Sequence, residues 1–170
     1  LPKIRALFPN AELIVVNDAS TDDTESVAIS YGAKVVRHPY SKGNGASIKS
    51  GLRAATSEIV VCMDADGQHQ PEEISILLDK LAEGFDMVVG ARNRSGQAGA
   101  HRSFANGFYN RFATWMVGHK VEDLTSGFRA VRRDKFLEFI SLLPNKFSYP
   151  TTITMSFFRA GYSVAYVPID

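Results

Sequence analysis

Glu58-Ile59-Val60-Val61-Cys62-Met63-Asp64-Ala65-Asp66-Gly67-Gln68-His69-Gln70-Pro71 carries the pattern on which the fold turns. Residues 58–63 read as a strand whose 59–63 run is apolar and rich in β-branched side chains. The run breaks into two carboxylates and a glycine, and Pro71 suits the first turn of a following helix. Ile74, Leu77, Leu78 and Leu81 recur at i, i+3, i+4 and i+7, which gives that helix one apolar face, and Gly84 ends it.

The same unit repeats on either side. Leu13-Ile14-Val15-Val16 reads as a strand that ends at Asn17-Asp18, and Ser20 or Thr21 can cap the helix that Gly32 closes. Residues 33–37 read as a second strand, and Gly43-Asn44-Gly45 opens a helix to about residue 55. Met87-Val88-Val89 is a further strand leading to Gly90-Ala91-Arg92. Repeated strand–helix–strand units predict an α/β fold of three αβα layers around a mostly parallel, Rossmann-like sheet. Ligands of such sheets sit beyond the carboxyl ends of the strands, where this chain places Asn17-Asp18, Asp64-Ala65-Asp66 and Arg92.

Beyond Arg92 the character changes. Residues 93–99 are rich in Gly, Ser and Gln and predict a loop. Residues 102–118 predict a helix with Phe104, Phe108, Phe112 and Trp115 or Met116 along one side, a stripe that suits either a core or a face on a lipid surface. A strand over 127–131, helices over 134–142 and 151–160, and a last strand over 162–167 stopped by Pro168 complete the reading. With no internal repeat and no linker, residues 1–170 read as a single domain.

Composition sets the outer bounds. The chain is 45% hydrophobic and 22% charged, which excludes a disordered segment, and one cysteine, Cys62, excludes an internal disulfide and fits a reducing compartment. No stretch of about 18 apolar residues is available to cross a bilayer. Charge is unevenly distributed. Residues 1–91 hold 8 Lys and Arg against 13 Asp and Glu, whereas residues 92–135 hold 9 against 3. The acidic part suits cations and the basic part suits phosphates or an anionic surface. The basic residues are not interleaved with any nucleic-acid module, so a nucleic-acid partner is not expected.

Asp64 and Asp66, two apart at a strand end, can approach one hard cation, and Gln68 can add a neutral oxygen. Mg²⁺ or Mn²⁺ is commonly held by one or two carboxylates with substrate phosphates filling the shell. The competing reading is a plain polar turn, since Asp-Gly is a common turn pair. Gly43 and Gly45 either cradle a phosphate at a helix start or mark an ordinary loop-to-helix junction. His69 reads as a ligand or a turn residue, Cys62 as core.

Several blocks together resemble the family 2 glycosyltransferases. Val15-Val16-Asn17-Asp18-Ala19-Ser20-Thr21-Asp22-Asp23-Thr24 is similar to their VVDDGSTDDT segment, Lys42-Gly43-Asn44-Gly45-Ala46 to their KGxGxA helix start, and Met63 to Pro71 to their metal-binding motif. Asp123-Leu124-Thr125-Ser126-Gly127-Phe128-Arg129 resembles the DxxSGFR block of the polyprenyl-phosphate (dolichyl-phosphate mannosyltransferase) branch, and Tyr166-Val167-Pro168-Ile169 its late EVPI-like strand. The matches run in order from about residue 13 to the end.

The resemblance implies a glycosyltransferase A-type fold and metal-dependent, inverting transfer of a sugar from a UDP- or GDP-sugar to a polyprenyl phosphate. By position it implies that Asp18, Lys42, Asp64, Ala65 and Asp66 face the donor. It implies that Asp64, Asp66 and Gln68 serve the metal, Mg²⁺ or Mn²⁺, and that Arg92, Arg102 and Ser126 hold the acceptor phosphate. Asp64, Asp66, Asp123 and Arg129 would carry catalysis. A lipid phosphate is already ionised and needs no general base; a sugar hydroxyl would need one, for which Asp123 is the candidate. The implied location is the cytoplasmic side of a membrane, with peripheral contact. In one respect the chain departs from the family. The opening strand and its PxYNE loop are missing, so the expected form is an N-terminally trimmed domain without the first strand. The alternatives are a non-catalytic relative that keeps only a binding role, or a sugar-nucleotide nucleotidyltransferase, whose Gly-rich basic loop is not seen.

Overall fold

A computed structural model describes residues 1–92, 111, 114, 115, 118 and 121–169. Arg102, the 93–99 loop and Phe104, Phe108 and Phe112 of the expected aromatic stripe lie outside the described residues.

In chain order the elements are α1 (Pro2–Leu7), β1 (Ile14–Asn17), α2 (Thr24–Ser30), β2 (Lys34–Arg37), α3 (Asn44–Ala54), β3 (Ile59–Cys62), a 3₁₀ turn at Pro71–Glu73 leading into α4 (Ile74–Ala82), and β4 (Met87–Arg92). There follow β5 (Arg129–Arg132), α5 (Arg133–Glu138), a 3₁₀ turn at Ile140–Leu142, α6 (Tyr149–Arg159) and β6 (Val164–Ile169). β1 and β2 pair in parallel as a sheet of their own, and the other four strands form a second sheet in the order β3-β5-β4-β6.

β4 and β6 are parallel, as crossover connections demand, but β5 runs antiparallel to both β3 and β4. The chain reaches β5 from the carboxyl ends of its neighbours, because residues 121–128 lie there, so it can only run back down the sheet. That reversal sets the Asp123–Arg129 block directly against the segment that follows β3.

The mixed sheet separates two apolar clusters. Cys62, Met87, Val89 and Val131 face Leu52 of α3, Phe136 of α5 and Tyr149, Ile153 and Phe157 of α6. Val88, Ala130, Ala165 and Val167 face Ile74, Leu77 and Leu81 of α4, with Ile4 and Phe8 beside them. The period-two alternation of Met87, Val88 and Val89, each fully buried, shows both faces covered. Cys62 is core as expected, and burial pushes its thiol up to about 11, which leaves it unreactive.

Two expectations about boundaries are corrected. Pro168 does not stop the last strand but lies inside β6, paired with Ala91. β6 is an edge strand, where a residue without an N–H can face away from the ladder. α6 begins two residues early, at Tyr149, with Pro150 in its first turn where no N–H is needed, and Ser148 before it takes a left-handed φ of 74°.

The α4 register makes a direct check. Leu77 is fully buried and Ile76 is 46% exposed. Leu77→Ala is expected to cost about 2–5 kcal/mol in urea unfolding, and Ile76→Ala less than about 1 kcal/mol.

Candidate functional site

The start of α3 is fixed from two sides. From one side, the Asp18 carboxylate at the end of β1 accepts the backbone N–H groups of Lys42 and Gly43 (both 2.8 Å) and the Ser41 hydroxyl (2.9 Å), and pairs with His38 Nδ1 (2.6 Å). The other ring nitrogen of His38 meets Ser50 Oγ in α3 at 2.8 Å. Burial alone would raise the Asp18 pKa; the N–H groups of Lys42 and Gly43, His38 and Ser41 outweigh it and hold the carboxyl well below the usual range. All four lone-pair positions of this carboxylate are engaged within the protein.

From the other side comes the segment before α6. Gly45 N–H donates to Lys146 O (3.0 Å) and Ala46 N–H to Asn145 O (2.8 Å). The Lys49 ammonium donates to Leu143 O (3.0 Å) and to the Asn145 side chain (2.5 Å). This approach explains the glycines. A Cβ on Gly45 would lie 2.0 Å from Pro144 O, and one on Gly43, whose φ is +96°, would lie 2.8 Å from Asn145 O. The Gly43 and Gly45 pair therefore serves close backbone packing. The amides of Gly45 and Ala46 that a phosphate cradle would use are already bonded.

Asn44, between those glycines, points toward the carboxyl end of β3, where its side-chain amide donates to Asp64 Oδ1 at 3.4 Å. The other oxygen of Asp64 rests against Gly127: a Cβ there would lie 2.8 Å from Asp64 Oδ2 and 3.2 Å from the Tyr149 hydroxyl, which itself donates to Gly127 O. Three distant segments thus meet at one carboxylate. They enclose a cavity of about 310 Å³ whose wall includes Asn44, Asp64, Thr125, Gly127 and residues 146–151.

Ala65, Asp66, Gly67 and Gln68 follow Asp64 and are exposed. Asp66 Oδ1 accepts the Gln68 N–H (3.1 Å), which folds the segment into a turn. Among the described residues no three His, Cys, Asp or Glu side chains gather as a ready-made metal cage. An oxygen-only set of Asp64, Asp66 and Gln68 beside an open cavity nonetheless fits a hard divalent cation that completes its shell with substrate oxygens. His69 is not an exposed turn residue. It is buried and stacked on Phe128, with ring centroids 4.9 Å apart.

At the end of β4, Arg92 donates from Nε to Asp123 Oδ2 (3.0 Å) and from Nη2 to Thr125 Oγ1 (2.7 Å). Asp123 also accepts the N–H groups of Thr125 (2.9 Å) and Ser126 (3.1 Å). Burial pushes the Asp123 pKa up, but the hydrogen bond and charge of Arg92, with Thr125, hold it below the usual carboxylate range. Ser126 is buried, with its hydroxyl enclosed and unpaired. Arg129 is fully buried too. Its guanidinium bonds to Ser126 O, to Pro150 O (3.3 Å) and to Thr154 Oγ1 (3.2 Å), and lies over the Tyr149 ring. Both residues bear on the site from behind its wall. The Lys42 ammonium lies over the Tyr40 ring, 5.6 Å from its centroid.

Residues 3–139 match the family model described as Glycosyl transferase family 2. The chain belongs to this family. Its relatives include the polyprenol monophosphomannose synthase of Mycolicibacterium smegmatis, 33% identical over 98% of this chain and 69% of that protein. The undecaprenyl-phosphate mannosyltransferase of Micrococcus luteus is 28% identical over 99% of this chain and 75% of that one. Among solved structures, a complex of Mycobacterium tuberculosis glucosyl-3-phosphoglycerate synthase with Mn²⁺, UDP-glucose and phosphoglyceric acid superposes with a TM-score of 0.77 at 25% identity. It covers 98% of this chain, which spans 62% of that one. Both the family and a glycosyltransferase A-type fold, as expected from the motifs, are thereby shown.

Family motifs pointed to Asp64 and to the Asp123–Arg129 block, but not to Asn44, Lys146 or Tyr149. The one available signal was the pair Gly43 and Gly45, which announces that another backbone comes close without saying which.

A carboxyl held below its ordinary value stabilises the fold above the unfolded pKa of about 4 and loses that contribution as pH falls toward the folded value. Asp18→Asn is therefore expected to be less stable than the native chain at pH 7, with the gap narrowing as urea unfolding is repeated from pH 4 down to pH 3.

Proposed function

We propose that this chain is a metal-dependent, inverting glycosyltransferase that moves a hexosyl group from a UDP- or GDP-sugar to a polyprenyl phosphate. The observation that carries the reading is the meeting of Asp64 with Gly127 and Asn44 at the mouth of one cavity. It joins a cation-type carboxylate to the block that the polyprenyl-phosphate branch shares. The names of the relatives, two of them acting on polyprenol-type phosphates, support the acceptor class. The structural neighbour with Mn²⁺ and UDP-glucose supports the donor class and the metal.

Asp64 and Asp66, with Gln68, would hold Mg²⁺ or Mn²⁺. A divalent cation there supplies charge neutralisation for the departing diphosphate. Asn44 keeps the Asp64 carboxylate turned to the cavity, and the bare Cα of Gly127 leaves room for it. Arg92 donates to Thr125, which lines the cavity, and from there its guanidinium would meet the acceptor phosphate.

The state of Asp123 favours a phosphate acceptor over a sugar hydroxyl. A general base needs a free carboxylate with a pKa near the working pH. Asp123 is buried, bonded to Arg92 and to two backbone N–H groups, and shifted the wrong way for that task. An ionised lipid phosphate attacks without a base. Such an acceptor would bring the chain to the cytoplasmic face of a membrane. Among the described residues no helix is long and apolar enough to cross one.

The test is calorimetric titration of the chain with UDP and with GDP, each with and without Mn²⁺. One nucleotide is expected to bind, at least tenfold more tightly with the metal, and Asp66→Ala is expected to abolish that gain. Metal-independent binding, or an unchanged gain in Asp66→Ala, removes the assignment.

A further inference from the structure

Lys146 lies on the rim of the cavity that holds Asp64. Its backbone is pinned, since its carbonyl accepts Gly45 N–H at 3.0 Å and the carbonyl of the preceding Asn145 accepts Ala46 N–H at 2.8 Å. Its side chain leaves along the bare face of Gly43: a Cβ on that glycine would meet Lys146 Cα and Cγ, each at 3.1 Å. Gly43 thus fixes the direction in which the lysine departs. Its ammonium nevertheless has neither an ion pair nor a hydrogen bond among the described residues. Lys49, one turn along α3, is by contrast spent on the 143–145 segment.

Two charged side chains therefore share this cavity wall, Asp64 and Lys146, and they do not neutralise each other. Asp64 is placed for a cation. A compact, strongly hydrated ammonium on the same wall suits a ligand that is itself anionic and carries its charge on oxygen. The cavity, at about 310 Å³, is at the lower end of the range for small-ligand sites.

We infer that Lys146 is a phosphoryl-binding residue of this cavity, one that meets a substrate phosphate directly. The inference rests on the proposed transferase reading and deepens it. Two substrates bring phosphoryl oxygens to such a site, the diphosphate of the donor and the phosphate of a prenyl acceptor. The chemistry is shared, and the experiment separates the sources.

The full chain and its Lys146→Gln and Lys146→Arg variants are titrated with UDP plus Mn²⁺, with GDP plus Mn²⁺, and with farnesyl phosphate. Lys146 is exposed, so neither substitution disturbs packing. Lys146→Gln is expected to weaken one phosphoryl ligand at least tenfold and to flatten the dependence of its binding on ionic strength, while Lys146→Arg keeps most of the affinity. Loss confined to the nucleotides assigns Lys146 to the donor diphosphate; loss confined to farnesyl phosphate assigns it to the acceptor. If the native chain binds a probe and Lys146→Gln binds every such probe equally well, the Lys146 assignment fails while the transferase reading stands. If the native chain binds none of the probes, the transferase reading fails and the Lys146 assignment with it.

Discussion

One carboxylate, Asp64, rests against a glycine that has no side chain to push it away. Its Oδ2 lies where a Gly127 Cβ would come within 2.8 Å, and its Oδ1 accepts Asn44. This contact requires β5 to arrive beside β3 with Gly127 two residues before its start, and α3 to begin at a fixed depth. Both conditions follow from the rest of the fold. β5 is held antiparallel between β3 and β4. The start of α3 is gripped by Asp18 on one side and by the carbonyls of Asn145 and Lys146 on the other.

The site's electrostatics follow the same arrangement. Arg92 and Asp123 satisfy each other at the end of β4, which leaves Asp123 unsuited to proton abstraction. Arg129 is buried and bonds from its two terminal nitrogens to Ser126, Pro150 and Thr154, so its positive charge sits behind the cavity wall. No carboxylate lies within ion-pair distance of it among the described residues, and its guanidinium lies over the Tyr149 ring. Asp64 and Lys146, which line the cavity, form no ion pair among the described residues, whereas Arg129 behind it is bonded within the protein.

Much of this was legible from local pattern. The β-branched runs placed β1 to β4, because apolar runs that break into polar residues stand out in local pattern; that β3 and one side of β4 pair antiparallel did not show there. The motif blocks named the family, and they drew attention to Asp64 and Gly127 separately. Their contact was not legible, since it depends on the antiparallel return of β5, a property of the connection rather than of either block. Glycine pairs carry an ambiguity of the same kind: Gly43 and Gly45 suit a phosphate or a passing backbone equally well, and only the 143–146 segment, about a hundred residues later in the chain, decides between them. Pro168 misled because proline stops a central strand but not an edge strand, and edges are set by the sheet order.

The central claim is that Asp64 and Asp66, backed by Gly127 and Asn44, form a divalent-cation site that faces the cavity. It is tested most directly by anomalous X-ray scattering from crystals of the chain soaked with Mn²⁺ and UDP or GDP. One strong manganese peak is expected within bonding distance of the Asp64 or Asp66 carboxylate, on the side of the cavity, with nucleotide phosphate oxygens in its shell. A bound nucleotide whose manganese lies away from both carboxylates would contradict it.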